Sequence, residues 1–554
     1  MKTSRPSPRA RPRTRGRCSA SLLALTLALA CTGRDAPTED EALALSSAPD
    51  EDPSAPPPRV EAAPTRDVDV EEDSSEWFVV HEPAAFPEPS ALASITALDL
   101  AFAEEDRIAR LDSGADDCAR VDLSQLADRM PALERLRISG CAEAARVALE
   151  SAGAGLRELE LANLTLGTAT LVRLAGMPGL RALTLTRVRL EPTADAIPLR
   201  GLSNVERMTL RELERDTALS MLLQRAPRLR EANIIGAWAG HRAMESLAEA
   251  KRLERLTLVD TRVGNFSLNK LKGLERLSSV EWRGATFNNN SPLYLRELPV
   301  TSFTCACPGL GDAGLASLRR VQSLARLELP ESAITGAGLA SLEVMPALAE
   351  VIITGRDIGP EGFAALAAQP ALARLELVSE RFADPTLKHL GELVNLRWLA
   401  LDCPEFDDRG AAQLAGLARL EHLDLGGTAI SDRGLAFVED MHALEVLRLH
   451  HTRVTNRGLA HLAGLRSLRV LELDHTDVVD AGVAHLAGLE QLRELRLDDT
   501  LITDAALPHI AALPRLQQLN LANTVVTRQG VRALEALPAL TAVNLSGTRA
   551  AADE

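Results

Sequence analysis

Aromatic residues are scarce in this chain: ten Phe, four Trp and one Tyr in 554 positions, or 3%. That suits a core of leucine and alanine spread along the chain better than one large globular core. The apolar run Leu22–Ala30 is too short to cross a bilayer as a helix. Basic residues are outnumbered, 61 against 77 acidic ones, for a net charge of −16. The first 30 residues carry seven basic side chains and no acidic one, so without them the balance falls to −23. Such acidity excludes a nucleic-acid binder, which needs clustered Lys and Arg to neutralise phosphates, and favours basic partners. His-Glu-x-x-His, a P-loop, and Gly-x-Ser-x-Gly in a supporting fold are all missing.

What the chain has is a period. Thr428, Thr452, Thr476, Thr500, Thr524 and Thr548 stand 24 residues apart. Each follows a Leu-x-Leu or Val-x-Leu pair, from Leu423/Leu425 through Leu447/Leu449, Leu471/Leu473, Leu495/Leu497 and Leu519/Leu521 to Val543/Leu545. An apolar residue and a Gly-Leu or Gly-Val step come next, as at Val454 and Gly458-Leu459, with Ala506-Leu507 as a substitute. Alternation predicts a short strand with one face inward, and the Gly-Leu-x-x-Leu spacing predicts a short outer helix. No single unit buries its apolar side alone, so the units must stack. From Phe303/Cys305 onward the spacing is constant; upstream, from Leu136/Ile138 through Leu159/Leu161, Leu183/Leu185, Met208/Leu210, Asn233/Ile235, Leu256/Leu258 and Val280/Trp282, it runs 23 to 25 residues. The count from Leu136 is about 18 strands.

The unit resembles the Leu-x-x-Leu-x-Leu-x-x-Thr-x-Ile-Thr-Asp-x-Gly-Leu repeats of bacterial leucine-rich proteins, and the GALA-type and F-box-associated repeats of ribonuclease-inhibitor-like arrays. The resemblance implies an α/β, right-handed leucine-rich repeat solenoid with a parallel concave sheet, and recognition of a protein or glycan. The F-box likeness implies an alternative, a substrate receptor of a ubiquitin ligase, which needs a helical segment before the repeats; residues 32 to 90 are acidic and Pro-rich instead.

Residues 1–30 read as a secretory signal. Ala28-Leu29-Ala30-Cys31 also resembles a lipobox, which would make Cys31 a lipidation site and the chain an exported, cell-envelope lipoprotein; Ala28-x-Ala30 equally suits ordinary cleavage and secretion. Thr32, in place of a retaining aspartate, leans toward the outer membrane. Residues 31–90 hold 16 acidic residues against three arginines and form a disordered tether. Within them Trp77-Phe78-Val79-Val80 reads as a strand or staple over the first repeat, or as a docking peptide. Residues 91–130 form an N-terminal cap, with strands expected at Leu98-x-Leu100 and Cys118–Leu123, and the repeats fill 131–554. The last strand has no closing helix after it, so that edge is expected to fray or meet a partner.

Cys118 and Cys141 are a possible disulfide in an exported protein, or two small buried side chains. Cys305-x-Cys307 lacks a second pair and Cys305 takes a core leucine position, so no metal site is expected there. Cys403, four repeats on, is roughly 19 Å from Cys307 along the stack, too far to bond. Gly309-x-Gly311-x-x-Gly314 matches a dinucleotide fingerprint as text, but Gly314 is simply the repeat glycine.

The richest polar cluster falls on the concave face of the C-terminal repeats. Trp398, Arg448, His450, His451, Asp474, His475, Arg496 and Asp498 are the expected ligand-binding surface, with Asp402, His422, Asp424, Glu472, Glu494 and Asp499 around them. Three uses compete: a recognition surface, a divalent-metal site, and a metal-dependent or His–Asp enzyme. Alternating charge along Asp424, Arg448, Glu472 and Arg496 also suits plain cross-strand pairing. His461, His485 and His509 recur on the outer helical side as a solvated face. The reading adopted is a monomeric, non-enzymatic binding protein without cofactor or resident metal.

Overall fold

A computed structural model describes residues 78–80, 97–101, 130–151, 154–190, 202–342, 344–381 and 389–551. Among these, twenty strands form one parallel sheet, each hydrogen-bonded to the next one along the chain. Leu136↔Leu159, Leu256↔Val280, Leu447↔Leu471 and Leu495↔Leu519 are in register, so the inward residues form continuous columns. The cause is alternation: Arg135–Ser139 and Glu158–Ala162 bury every second side chain. Leu423, Leu447, Leu471 and Leu495 are each fully buried against the leucines of the helical side. Chain return is through short α-helices such as His241–Ala248 in the earlier turns, and through one α turn followed by a 3-10 turn later, as in Asn456–Leu459 and Ala460–Leu462. No described helix is long and apolar enough to cross a membrane.

Phe78–Val80 is a strand, paired parallel with Ala97–Ala101 at the start of the sheet. Leu98 then pairs directly with Leu136. Cys31, Trp77, Cys118 and the strand expected at 118–123 lie outside the described residues. Cys141 is disulfide-bonded, and its pairing with Cys118 stays an expectation.

One sequence expectation needs correction. The inward pair of the strand Glu231–Ile235 is Ala232/Ile234, not Asn233/Ile235: Ala232 and Ile234 align with Met208 and Leu210, and both are buried. A one-residue slip would turn Asn233 and Ile235 into the core and Ala232 and Ile234 out of it. With this register the 24-residue step already holds from Met208 to Val280. The sequence reading was silent on a bond between Cys305 and Cys307, which are joined across a Cα separation of 5.3 Å. Both are buried, Cys305 on the strand Ser302–Ala306 in the core position expected of it and Cys307 one residue past the strand's end.

Polar ladders fix the turns. In each C-terminal unit the buried threonine donates to the carbonyl of the core leucine three residues back, Thr452 to Leu449 O at 2.6 Å and Thr476 to Leu473 O at 2.5 Å. The bond is internal to one repeat and satisfies a carbonyl that the turning strand would leave buried and unpaired. Links between repeats come from an aspartate at the helix start. Asp432 accepts from the Thr455 N–H and hydroxyl, each at 2.7 Å, and Asp480 does the same for Thr503 at 2.7 and 2.6 Å. Upstream, Asp216 accepts from Gly240, Arg242 and Ala243 N–H groups at the start of the next helix. This explains the repeat glycine: a Cβ on Gly458 would stand 2.7 Å from Asp432 Oδ1.

Candidate functional site: the open face of the sheet

The residues opposite the core leucines stand on the open face of the sheet in columns one strand apart. In one column Arg374, Trp398 and His422 align. The Arg374 guanidinium lies 4.0 Å over the Trp398 ring, and the His422 ring stacks on its other side at 3.4 Å and 5°. Arg448 closes the stack, its Nη1 3.3 Å from His422 Nε2. His422 is 5% exposed. Burial first, then the Arg448 and Arg374 charges, lower its pKa to about 4, so the ring is neutral near pH 7 and accepts from Arg448.

The next column carries alternating charge. Arg448 reaches Glu472 at 3.0 Å and Asp424 at 3.6 Å; Arg496 reaches Glu494 at 2.9 Å and Glu472 at 3.9 Å. Glu472 is buried between the two arginines. Both arginines expected at the surface therefore spend much of their charge inside the face. The same pattern runs upstream through Arg326, Glu350 and Arg374. Arg374, Glu350 and Arg326 were missed by the sequence reading, though they stand at one-period steps before Trp398.

A third column holds Asp402, Gly426, His450, Asp474 and Asp498. His450 lies over Gly426, where a Cβ would stand within 2.2 Å of its Nε2. His450 Nδ1 is buried without a hydrogen-bond partner; Glu472 Oε2, at 3.7 Å, is out of reach. Asp498 accepts from Asn520 Nδ2 at 2.6 Å. Burial, then the charge of Asp474, raises the Asp498 pKa; burial, then Asp424, raises that of Asp402.

At the end of each strand the chain turns through a left-handed residue: Gly427, His451, His475, Asp499, Asn523 and Gly547, all with φ between 54° and 74°. His451 and His475 stack there with centroids 4.1 Å apart and planes 13° from parallel. Of the eight residues expected at the surface, the structure thus joins Trp398 to Arg448 through His422, and His451, His475, Asp474 and Asp498 into a second group. His461 sits elsewhere, beside Glu439 at 2.5 Å, in keeping with a solvated outer face. The Gly309–Gly314 loop has its Gly311 and Gly314 N–H groups engaged by Asn289 Oδ1, which leaves them no phosphate role. A hollow of about 220 Å³ lined by Asn269, Lys272, Tyr294 and Glu297 lies outside these columns, with Lys272 and Glu297 paired at 3.4 Å.

Turns of 24 residues, a strand and a short helix in each, and an open parallel sheet in register define an α/β leucine-rich repeat solenoid with a polar sheet face. No family model matches this chain, and no curated protein matches it. Solved structures similar to it include an internalin, InlF, of Listeria monocytogenes, at 18% identity and TM-score 0.36, covering 68% of this chain and 93% of that one. A leucine-rich repeat protein of Leptospira interrogans gives 16% identity and TM-score 0.44, covering 70% and 90%. The plant peptide hormone receptor RGFR1, in complex with RGF2, gives 15% and 0.38, covering 76% of each. At these scores the fold rests on the chain's own period and strand register.

Proposed function

We propose that the protein is a non-enzymatic recognition module that binds a protein partner on the open face of its C-terminal repeats. The observation that carries this is the acidic excess there: Asp402, Asp424, Glu472, Asp474, Glu494, Asp498 and Asp499 face only two arginines, Arg448 and Arg496. Raised pKa values at Asp402 and Asp498 mark carboxylates crowded by burial and by one another, which a cationic partner would relieve. A basic protein segment fits this face better than a neutral glycan. The stacked Arg374–Trp398–His422 column supplies a rigid platform beside it.

In this reading the chain is exported as a monomer and held at the cell envelope through lipid on Cys31, on the outer membrane, with the acidic residues between Cys31 and the strand Phe78–Val80 as tether. The lipobox-like Ala28-Leu29-Ala30-Cys31 supports the anchor. The test pairs two measurements. Intact mass of the membrane-extracted protein is expected to show a chain beginning at Cys31 and carrying a diacylglyceryl group; an unmodified chain would remove the anchor. Retention of an envelope partner on immobilised protein is expected to fall at least tenfold with Asp474→Lys/Asp498→Lys and to stay with Glu231→Lys upstream. Equal retention by both variants would move recognition off this face.

A further inference from the structure

The geometry points to a second property of the same repeats, independent of protein recognition: we propose a binding site for one divalent cation of the zinc class, ligated by His451, Asp474 and His475 and oriented by Asp499.

Position comes first. The left-handed turn residue is Gly427, Asp499, Asn523 or Gly547 in neighbouring repeats, so the backbone has no need of imidazole there. Only His451 and His475 break that series among these six turns, and they are adjacent. Their backbones are pinned one strand apart, His451 N–H donating to Asp474 O and His475 N–H to Asp498 O, both at 3.0 Å. Two imidazoles are thereby presented side by side at the rim of the sheet, stacked on each other and exposed to solvent.

Spacing comes second. Tetrahedral zinc with bonds of about 2.0 to 2.2 Å sets its ligand atoms roughly 3.3 to 3.5 Å apart. His475 Nδ1 and Asp474 Oδ2 are 3.4 Å apart. One nitrogen of His451 completes a set in which all three ligand atoms lie within 4.8 Å of one another. His451 is exposed, so its ring is free to turn toward the other two ligands. The other nitrogen of His475, Nε2, stands 3.4 Å from Asp499 Oδ2. A carboxylate on the far nitrogen of a ligating histidine fixes its tautomer and raises its basicity. Two neutral imidazoles and a carboxylate are a donor set that prefers zinc, nickel or copper to magnesium or calcium. The fourth position is open to water or to a partner's side chain.

The test uses the full chain, without a histidine tag, stripped with chelator and titrated with Zn2+ in a calorimeter, with Co2+ absorption as the spectroscopic readout. One ion per chain is expected, with Co2+ giving the strong visible bands of four-coordination. His451→Ala and His475→Ala should each weaken Zn2+ binding by about 100-fold. Asp499→Asn should weaken it by about 10- to 100-fold. His485→Ala, on the outer side, should leave it unchanged. Thermal unfolding of each apo variant separates loss of a ligand from loss of fold. Absence of saturable one-to-one binding, or binding that persists in His451→Ala/His475→Ala, would overturn the site.

Discussion

The N-terminal and C-terminal repeats solve the same turn by different chemistry. One residue past the left-handed position, the early repeats bury Leu164, Val188, Leu213 and Ala237. The late repeats bury Thr428, Thr452, Thr476, Thr500, Thr524 and Thr548 at that place. An apolar plug fills volume and tolerates neighbours of varied size, as the nearby Met208, Met221, Met244, Trp282 and Phe287 show. A hydroxyl has a direction, and it fixes the turn to one geometry. Where the turn is fixed, the residues before it recur at constant height, and their side chains can be assembled into columns. The columns around Arg448 and His450 lie over the hydrogen-bonded turns, while the Arg326–Glu350–Arg374 run extends the polar face into repeats whose turns lack that threonine.

The largest effect that would test this comparison is in the shared core. Leu471→Ala and Leu161→Ala, both fully buried, should each cost about 2 to 5 kcal/mol in urea unfolding, because apolar packing is common to both halves. A large difference between them would mean that one half is not held by its leucine column. Next, Gly458→Ala should cost about 1 to 3 kcal/mol, since the new methyl meets Asp432, Leu435 and Val454 within 3.1 Å. Asp432→Ala in the same chain should recover part of that loss, measured as a double-mutant cycle.

Acid should weaken the C-terminal half through His422. Its folded pKa of about 4 lies below the ordinary histidine value of 6.5, so from pH 6.5 downward the unfolded chain takes up a proton that the folded chain refuses. Stability therefore falls between about pH 6.5 and pH 4, by an amount on the order of 1 to 3 kcal/mol. His422→Gln should flatten that part of the pH profile, and an unchanged slope would contradict the buried neutral ring. The turn itself is probed by a swap: Thr476→Val should cost about 1 kcal/mol for the lost bond to Leu473 O, while Val188→Thr should cost less, because Leu185 O stands at the same offset in its turn. The smallest effect belongs to His485→Ala, within about 0.5 kcal/mol by thermal melting, as expected of a solvated side chain.

Much of this could be read before any coordinates. Leu-x-Leu at 24-residue steps imposes strands that stack in parallel, because neither face of a single unit can be buried alone. The same count placed His451 beside His475 and Arg448 between Asp424 and Glu472. It failed at Asn233/Ile235, where a small inward alanine hid the pattern, and it was silent on the bond between Cys305 and Cys307. Arg374 was missed because its partner, Trp398, stands one repeat away and meets it only across the sheet.

Sequence alone settled the period, the inward columns and the helical return, since these follow from which residues avoid water and how often they recur. Only the tertiary structure decided which polar groups are spent on one another. Arg448 is paired with Glu472 and Asp424, Arg496 with Glu494 and Glu472, and Trp398 is covered on both sides. His451 and His475 remain exposed at the rim. The reason is distance: a one-dimensional period fixes which strands are neighbours, but hydrogen bonds and ion pairs are chosen within about 3 Å, by side-chain directions that no spacing records.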